Sequence, residues 1–194
     1  MAEEPVERFR PTSGRLLGVI GLALAAAVVA AGILDSDGDL AVPLIAGAVA
    51  FGVLIWSAML RPRVWATESD LVMRNMFDTV RIPLAAIESV AVRQVLAVGA
   101  GDARYVSPAI GQSWRRTVKA GRAAREPADA AESYPGFVEV RIRQLAQDAQ
   151  ARLGVRRYSA EQAALADGVR RQPAWVEIGV LVLAGLVFVV SLFV

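Results

Sequence analysis

Five cations fall within SWRRTVKAGRAAR, residues 113 to 125: Arg115, Arg116, Lys119, Arg122 and Arg125. Their chemistry is attraction to negative charge, and three readings compete. One is a solvated helix face, with Trp114 and Val118, four residues apart, packing inward. Another is contact with anionic membrane lipid, to which each basic side chain at the surface contributes at most about 1 kcal/mol. Nucleic acid is disfavoured, because no stacking aromatics interleave with the cations. Asp35, Asp37 and Asp39 in DSDGD (35 to 39) alternate as calcium ligands do, but an EF-hand loop needs a glycine after its third ligand and a bidentate glutamate at its twelfth position. Neither is present, so the segment reads as an acidic turn. Glu177 is an acid inside an otherwise apolar run. It reads as a first-turn carboxylate favoured by the helix dipole, with a buried functional carboxylate as the sharper alternative.

Much chemistry is excluded by what the chain lacks. It has no cysteine and no histidine. Disulfides, thiolate metal sites, cysteine nucleophiles and the commonest general base are therefore absent. Lys119 is the sole lysine, and no nucleophile elbow occurs. No catalytic residue, metal ligand or cofactor is expected, and an enzyme is disfavoured.

The elements that must position these residues are dominated by hydrocarbon-like runs. Over half of the 194 residues are hydrophobic, more than a water-soluble core of this size requires. Leu16 to Leu34 is apolar throughout, Leu40 to Leu60 is broken only by Pro43 and Ser57, and Ala174 to Val194 only by Glu177 and Ser191. At about 1.5 Å per residue each measures roughly 30 Å, the thickness of a bilayer core. The first run is too long for a signal-peptide h-region and a second follows at once, so it is expected to be retained. Three spans are predicted, at 16–34, 40–60 and 174–194, the first two forming a hairpin. Small residues spaced by four, Ala23, Ala27, Ala31 and Ala48 with Gly52, suit close helix packing and are compatible with a homo-oligomer.

Charge sets the orientation. The tail carries Arg8, Arg10 and Arg15, and residues 61 to 172 carry 17 arginines and Lys119 against 12 acids, whereas the hairpin turn has three acids and no base. The positive-inside rule places the N-terminus and residues 61–172 in the cytoplasm and the C-terminus outside. Trp56 with Arg61 and Arg63, and Arg170 and Arg171 with Trp175, read as interface anchors at the cytoplasmic ends of spans two and three.

Between the spans, β-branched and alternating residues predict short antiparallel strands at Val64–Thr67, Leu71–Met76, Thr79–Pro83 and Ser89–Val95, with a further strand at 104–106. PLAAI (83 to 87) reads as one helical turn, and GAGD (99 to 102) as a hairpin loop. Residues 126 to 133 read as a linker. Residues 134 to 154 predict a helix with Val138, Ile142, Leu145, Ala149 and Leu153 on one stripe and Glu139/Arg143 and Asp148/Arg152 pairs on its flank. The stripe is expected to dock on the strands, with a partner groove as the alternative. A Ser159/Gln162 capping box opens a third helix running to Arg171, with Pro173 at its joint with span three.

RPRVWATESDLVMRNMFDTVRIPLAAIESVAV, followed by RYVSPAI, resembles the bacterial pleckstrin-homology-like (PH-like) domains of small multi-span membrane proteins of actinobacteria. The resemblance covers roughly residues 5 to 112. It implies an α+β membrane protein with a small cytoplasmic PH-like antiparallel β-roll and accessory helices. Four or five strands are recognisable, fewer than the seven of a full PH domain. Glu68, Ser69 and Asp70 stand where phosphoinositide-binding PH domains carry bases, which argues against that ligand. The expected organisation is a cytoplasmic tail (1–15), a transmembrane hairpin (16–60), the PH-like domain (61–112), a cytoplasmic helical region (113–172) and a third span (173–194). The resemblance implies a non-enzymatic, membrane-associated role. The leading reading is a non-catalytic protein of the bacterial plasma membrane that scaffolds or senses an unknown protein partner, with membrane lipid as a further contact of the basic stretch. A subunit or assembly factor of a larger envelope complex is the alternative.

Overall fold

A computed structural model describes residues 4–12, 14–34, 41–111, 133–191 and 193. The five cations between residues 113 and 125, the DSDGD turn and the expected linker up to residue 132 lie outside the described residues; Ser133 belongs to the helix that follows. The chain divides into two units. One comprises Met1–Ser13, Pro62–Asn75 and Thr79–Gln172; the other comprises Gly14–Arg61, Met76–Asp78 and Pro173–Val194.

The first unit is built on antiparallel ladders. Strands β1 (Glu7–Phe9), β2 (Arg63–Ala66), β3 (Asp70–Arg74), β4 (Asp78–Pro83) and β8 (Arg170–Pro173) form one sheet in the order β1-β2-β3-β4-β8. Strands β5 (Ile87–Val92), β6 (Leu96–Ala100) and β7 (Ala103–Ser107) form a second, three-stranded sheet. Register across the first sheet aligns Phe9, Val64, Met73 and Val80 in one row and Ala66, Leu71 and Ile82 in the next. All seven are buried, as the period of two requires of an inward face. They join Ile87, Val90, Val92, Leu96 and Val98 of the second sheet in one core.

A helix completes that core. Helix α3 (Tyr134–Leu153) starts at Ser133, whose hydroxyl accepts from Gly136 N, and stops at Gly154, whose φ of 68° is a left-handed conformation that glycine adopts without strain. Its face Val138, Ile142, Ala146 and Ala149 is buried in the core, so the expected docking of this stripe on the strands is met, except that Leu153, beside the cap, is exposed. Arg152 donates to Glu68 O at 3.1 Å rather than pairing with Asp148.

Several expectations are corrected. The N-terminal tail is not merely a tail: Glu7–Phe9 pairs with β2 and buries Phe9. Leu96–Ala100, containing part of the expected hairpin loop, is a strand, and only residues 101 and 102 turn. Six strands therefore lie between Arg63 and Ser107. The expected helix from Ser159 to Arg171 is shorter. Helix α4 (Ala160–Leu165) gives way to a 3-10 turn at Ala166–Gly168, and Arg170–Pro173 is extended. Pro173 thus ends a strand and does not kink a continuous helix.

The second unit holds α1 (Arg15–Leu34), α2 (Ala41–Ile55) with a π-helical turn at Trp56–Leu60, and α5 (Trp175–Val190). Arg15–Leu34 and Val42–Leu60 are each long and apolar enough to cross a membrane. Helix α5 is apolar but spans only 16 residues, about 24 Å. The small residues that α1 buries are Gly18, Ala25 and Gly32, not the expected Ala23, Ala27 and Ala31, which are exposed. The difference is one of helix phase: Gly18 meets Met59 and Leu60 of the π-helical turn, and Ala25 meets Gly52.

Candidate functional site

The described residues that best combine charge, burial and convergence of several elements surround Arg61. This residue follows the π-helical turn, in which Arg61 N donates to Trp56 O at 2.9 Å across five residues. Such a turn holds one residue more than an α-helical turn and is frequent at functional positions. Arg61 is only 6% exposed. Its Nε lies 2.6 Å from Glu177 Oε1 in the first turn of α5. One terminal guanidinium nitrogen donates to the carbonyls of Met76 and Asp78, at 3.1 and 3.3 Å. Ala174 N, at the start of α5, donates to Phe77 O at 2.8 Å.

Thus one guanidinium gathers the end of α2, the β3–β4 turn and the start of α5. A buried charge is costly unless it is paired and hydrogen-bonded, and Arg61 is both. The planar fork of arginine suits such multiple donation better than the point charge of lysine. Among the described residues, no group of three acidic, histidine or cysteine side chains could hold a metal.

The expected interface anchors have different surroundings. Trp56 and Trp175 are exposed, at 44% and 73%, and Arg63, Arg170 and Arg171 are exposed as well. Arg61 is not an exposed anchor but the buried centre of the junction. Glu177 sits in the first turn of α5 as expected, with Arg61 as its partner. Ser57, in the same π-helical turn, is fully buried and its hydroxyl finds no partner. No sequence signal announced the pairing, because 116 positions separate the two residues.

Two further arrangements hydrogen-bond α3 and α4 to the strand module. Glu139 Oε2 accepts from Val92 N at 2.9 Å, while Arg143 donates to Val90 O at 3.2 Å and to Glu139 Oε1 at 2.8 Å. The expected i, i+4 pair therefore hydrogen-bonds along the edge of β5, where a further strand would otherwise pair. Gln150 and Gln162, both buried, bind the 3-10 turn Leu84–Ala86 that separates the two sheets in sequence. On the helical unit, Leu24, Val28, Pro43, Leu44, Phe51 and Phe188 line an open apolar groove of about 300 Å³.

Comparison of the chain with protein-family models, curated proteins and solved structures finds no match.

Proposed function

We propose that the chain is a non-catalytic, multi-pass protein of the bacterial plasma membrane whose three apolar helices carry a PH-like module at the cytoplasmic surface, where it scaffolds a protein partner. The observation that carries this reading is the exposure of the helices. Only 17% of each span-length window in α1 and in Val42–Leu60 is buried. Leu16, Leu17, Leu24, Phe51, Leu183 and Leu186 are all about half exposed or more. The core helix of a water-soluble protein buries its apolar side chains, whereas a bilayer accepts them.

Two antiparallel sheets and a helix around one core support the PH-like reading of the module. The excess of arginine over acid in residues 61 to 172 supports its cytoplasmic placement. In this reading Arg115, Arg116, Lys119, Arg122 and Arg125 touch anionic lipid, and changing Arg115, Arg116 and Lys119 to alanine lowers retention on anionic but not neutral vesicles.

The apolar groove on α1, α2 and α5 favours a second reading, a subunit or assembly factor of an envelope complex. Cross-linking of the intact chain in native membranes, followed by purification in mild detergent, separates the two. Partner cross-links confined to residues 61–172 support the scaffold; cross-links confined to α1, α2 and α5 contradict it and favour the subunit.

A further inference from the structure

Helix α5 packs along α2 mainly through half-buried side chains. Ala184 is its one buried residue, and a Cβ built at Gly179 or Gly185 meets nothing within 4 Å. Near its far end the Phe188 ring lies 3.2 Å from the position a Gly47 Cβ would occupy. In hydrocarbon, burying one apolar helix against another supplies little driving force, so close packing and polar contacts decide association. The polar contacts of α5 converge at its start, where Glu177 meets Arg61 and Ala174 N meets Phe77 O.

We infer that the Arg61–Glu177 pair is a latch that keeps α5 docked on α2 and ties α5 to the tip of the β3–β4 hairpin. The hairpin closes at the Arg74 and Thr79 pair, and its tip carries the Met76 and Asp78 carbonyls that share the Arg61 guanidinium with Glu177. Losing either acidic or carbonyl partners leaves a buried cation under-paired, so each set of contacts stabilises the other. By linkage, whatever displaces the tip loosens α5, and whatever pulls α5 away frees the tip. The latch goes beyond the scaffold reading, and rests on the part of it that places α5 in hydrocarbon.

Glu177→Gln distinguishes the latch from simple hydropathy, because the two predict opposite signs. Removing a charge from an apolar helix favours its residence in hydrocarbon, whereas opening a latch undocks it. The chain has no native cysteine, so Gly47→Cys with Phe188→Cys forms a clean reporter pair for a short thiol cross-linker in native membranes. In that background, Glu177→Gln and Arg61→Gln are each expected to lower cross-linking about threefold or more.

Unchanged or increased cross-linking in Glu177→Gln overturns the latch. Amide exchange at Ala174 reads the tip. It accelerates in Glu177→Gln if tip and helix are coupled, and an unchanged rate beside reduced cross-linking overturns the coupling. A reporter fused after Val194 tests the three-span reading separately. Activity of that reporter inside the cell contradicts the third span, while the cross-linking yield still decides the latch.

Discussion

Gln150 and Gln162, on α3 and α4, donate to the same two carbonyls. Gln150 Nε2 lies 3.3 Å from Ala85 O and 2.9 Å from Ile87 O, and Gln162 Nε2 lies 3.2 and 3.1 Å from the same oxygens. Gln162 also accepts from Tyr158 N at 2.6 Å and is capped by Ser159, so the predicted capping box reaches back one residue further than its usual form. Each carbonyl keeps one of these two amide donors when either glutamine is lost and neither when both are. Gln150→Leu and Gln162→Leu are each expected to cost about 1 kcal/mol, and the double variant at least about 1 kcal/mol more than the sum. Thermal unfolding of the detergent-solubilised chain measures this, and additive losses contradict the shared role.

Glu139 completes the hydrogen bonding of a strand edge. Glu139→Ala leaves Val92 N without its acceptor and Arg143 without its ion pair, an expected loss of about 2 kcal/mol. Glu139→Gln retains an acceptor and is expected to lose less than half as much. Amide exchange at Val92 localises the effect, accelerating in Glu139→Ala before the rest of β5.

The N-terminal strand contributes a core side chain. Phe9 is 5% exposed, so Phe9→Ala is expected to cost about 3 kcal/mol or more. Val6, three residues earlier and 63% exposed, changes stability by less than about 0.5 kcal/mol when replaced by alanine. Equal effects at the two positions contradict the burial assigned to β1.

Close approach of α1 to the end of α2 depends on Gly18. A Cβ there would stand 2.8 Å from a Leu60 methyl and 2.9 Å from Met59 Cβ. Gly18→Leu is expected to force the two helices apart, reducing cross-linking between cysteines introduced along them. Gly179→Ala, which meets open space, is expected to leave the same cross-links unchanged.

What the sequence disclosed was local. Long apolar runs marked α1 and α2, and period-two alternation marked β2 to β5. A 3.6-residue stripe and an i, i+4 pair marked α3. What it concealed depends on partners far along the chain. Glu7–Phe9 is too short to carry a pattern and becomes a strand because β2 offers an edge to pair with. Arg170–Pro173 is polar and followed a helical signal, yet joins β4 in a sheet. Leu96–Ala100 was obscured by Gly99, which here lies within a strand facing Ser89. The junction was half visible: Arg61 was recognised as flanking a span and Glu177 as an unusual acid, but nothing local reveals that one neutralises the other.

In the proposed reading, exposed apolar helices hold the strand-rich module on the inner side of a membrane. Gln147→Cys introduces a single thiol on the exposed face of α3, in a chain that has none of its own. The deciding measurement is its labelling by a membrane-impermeant maleimide. The account predicts no labelling in intact cells and full labelling once the membrane is opened, with the protein remaining in the membrane fraction after carbonate washing. Labelling in intact cells, or release of the protein by carbonate, contradicts it.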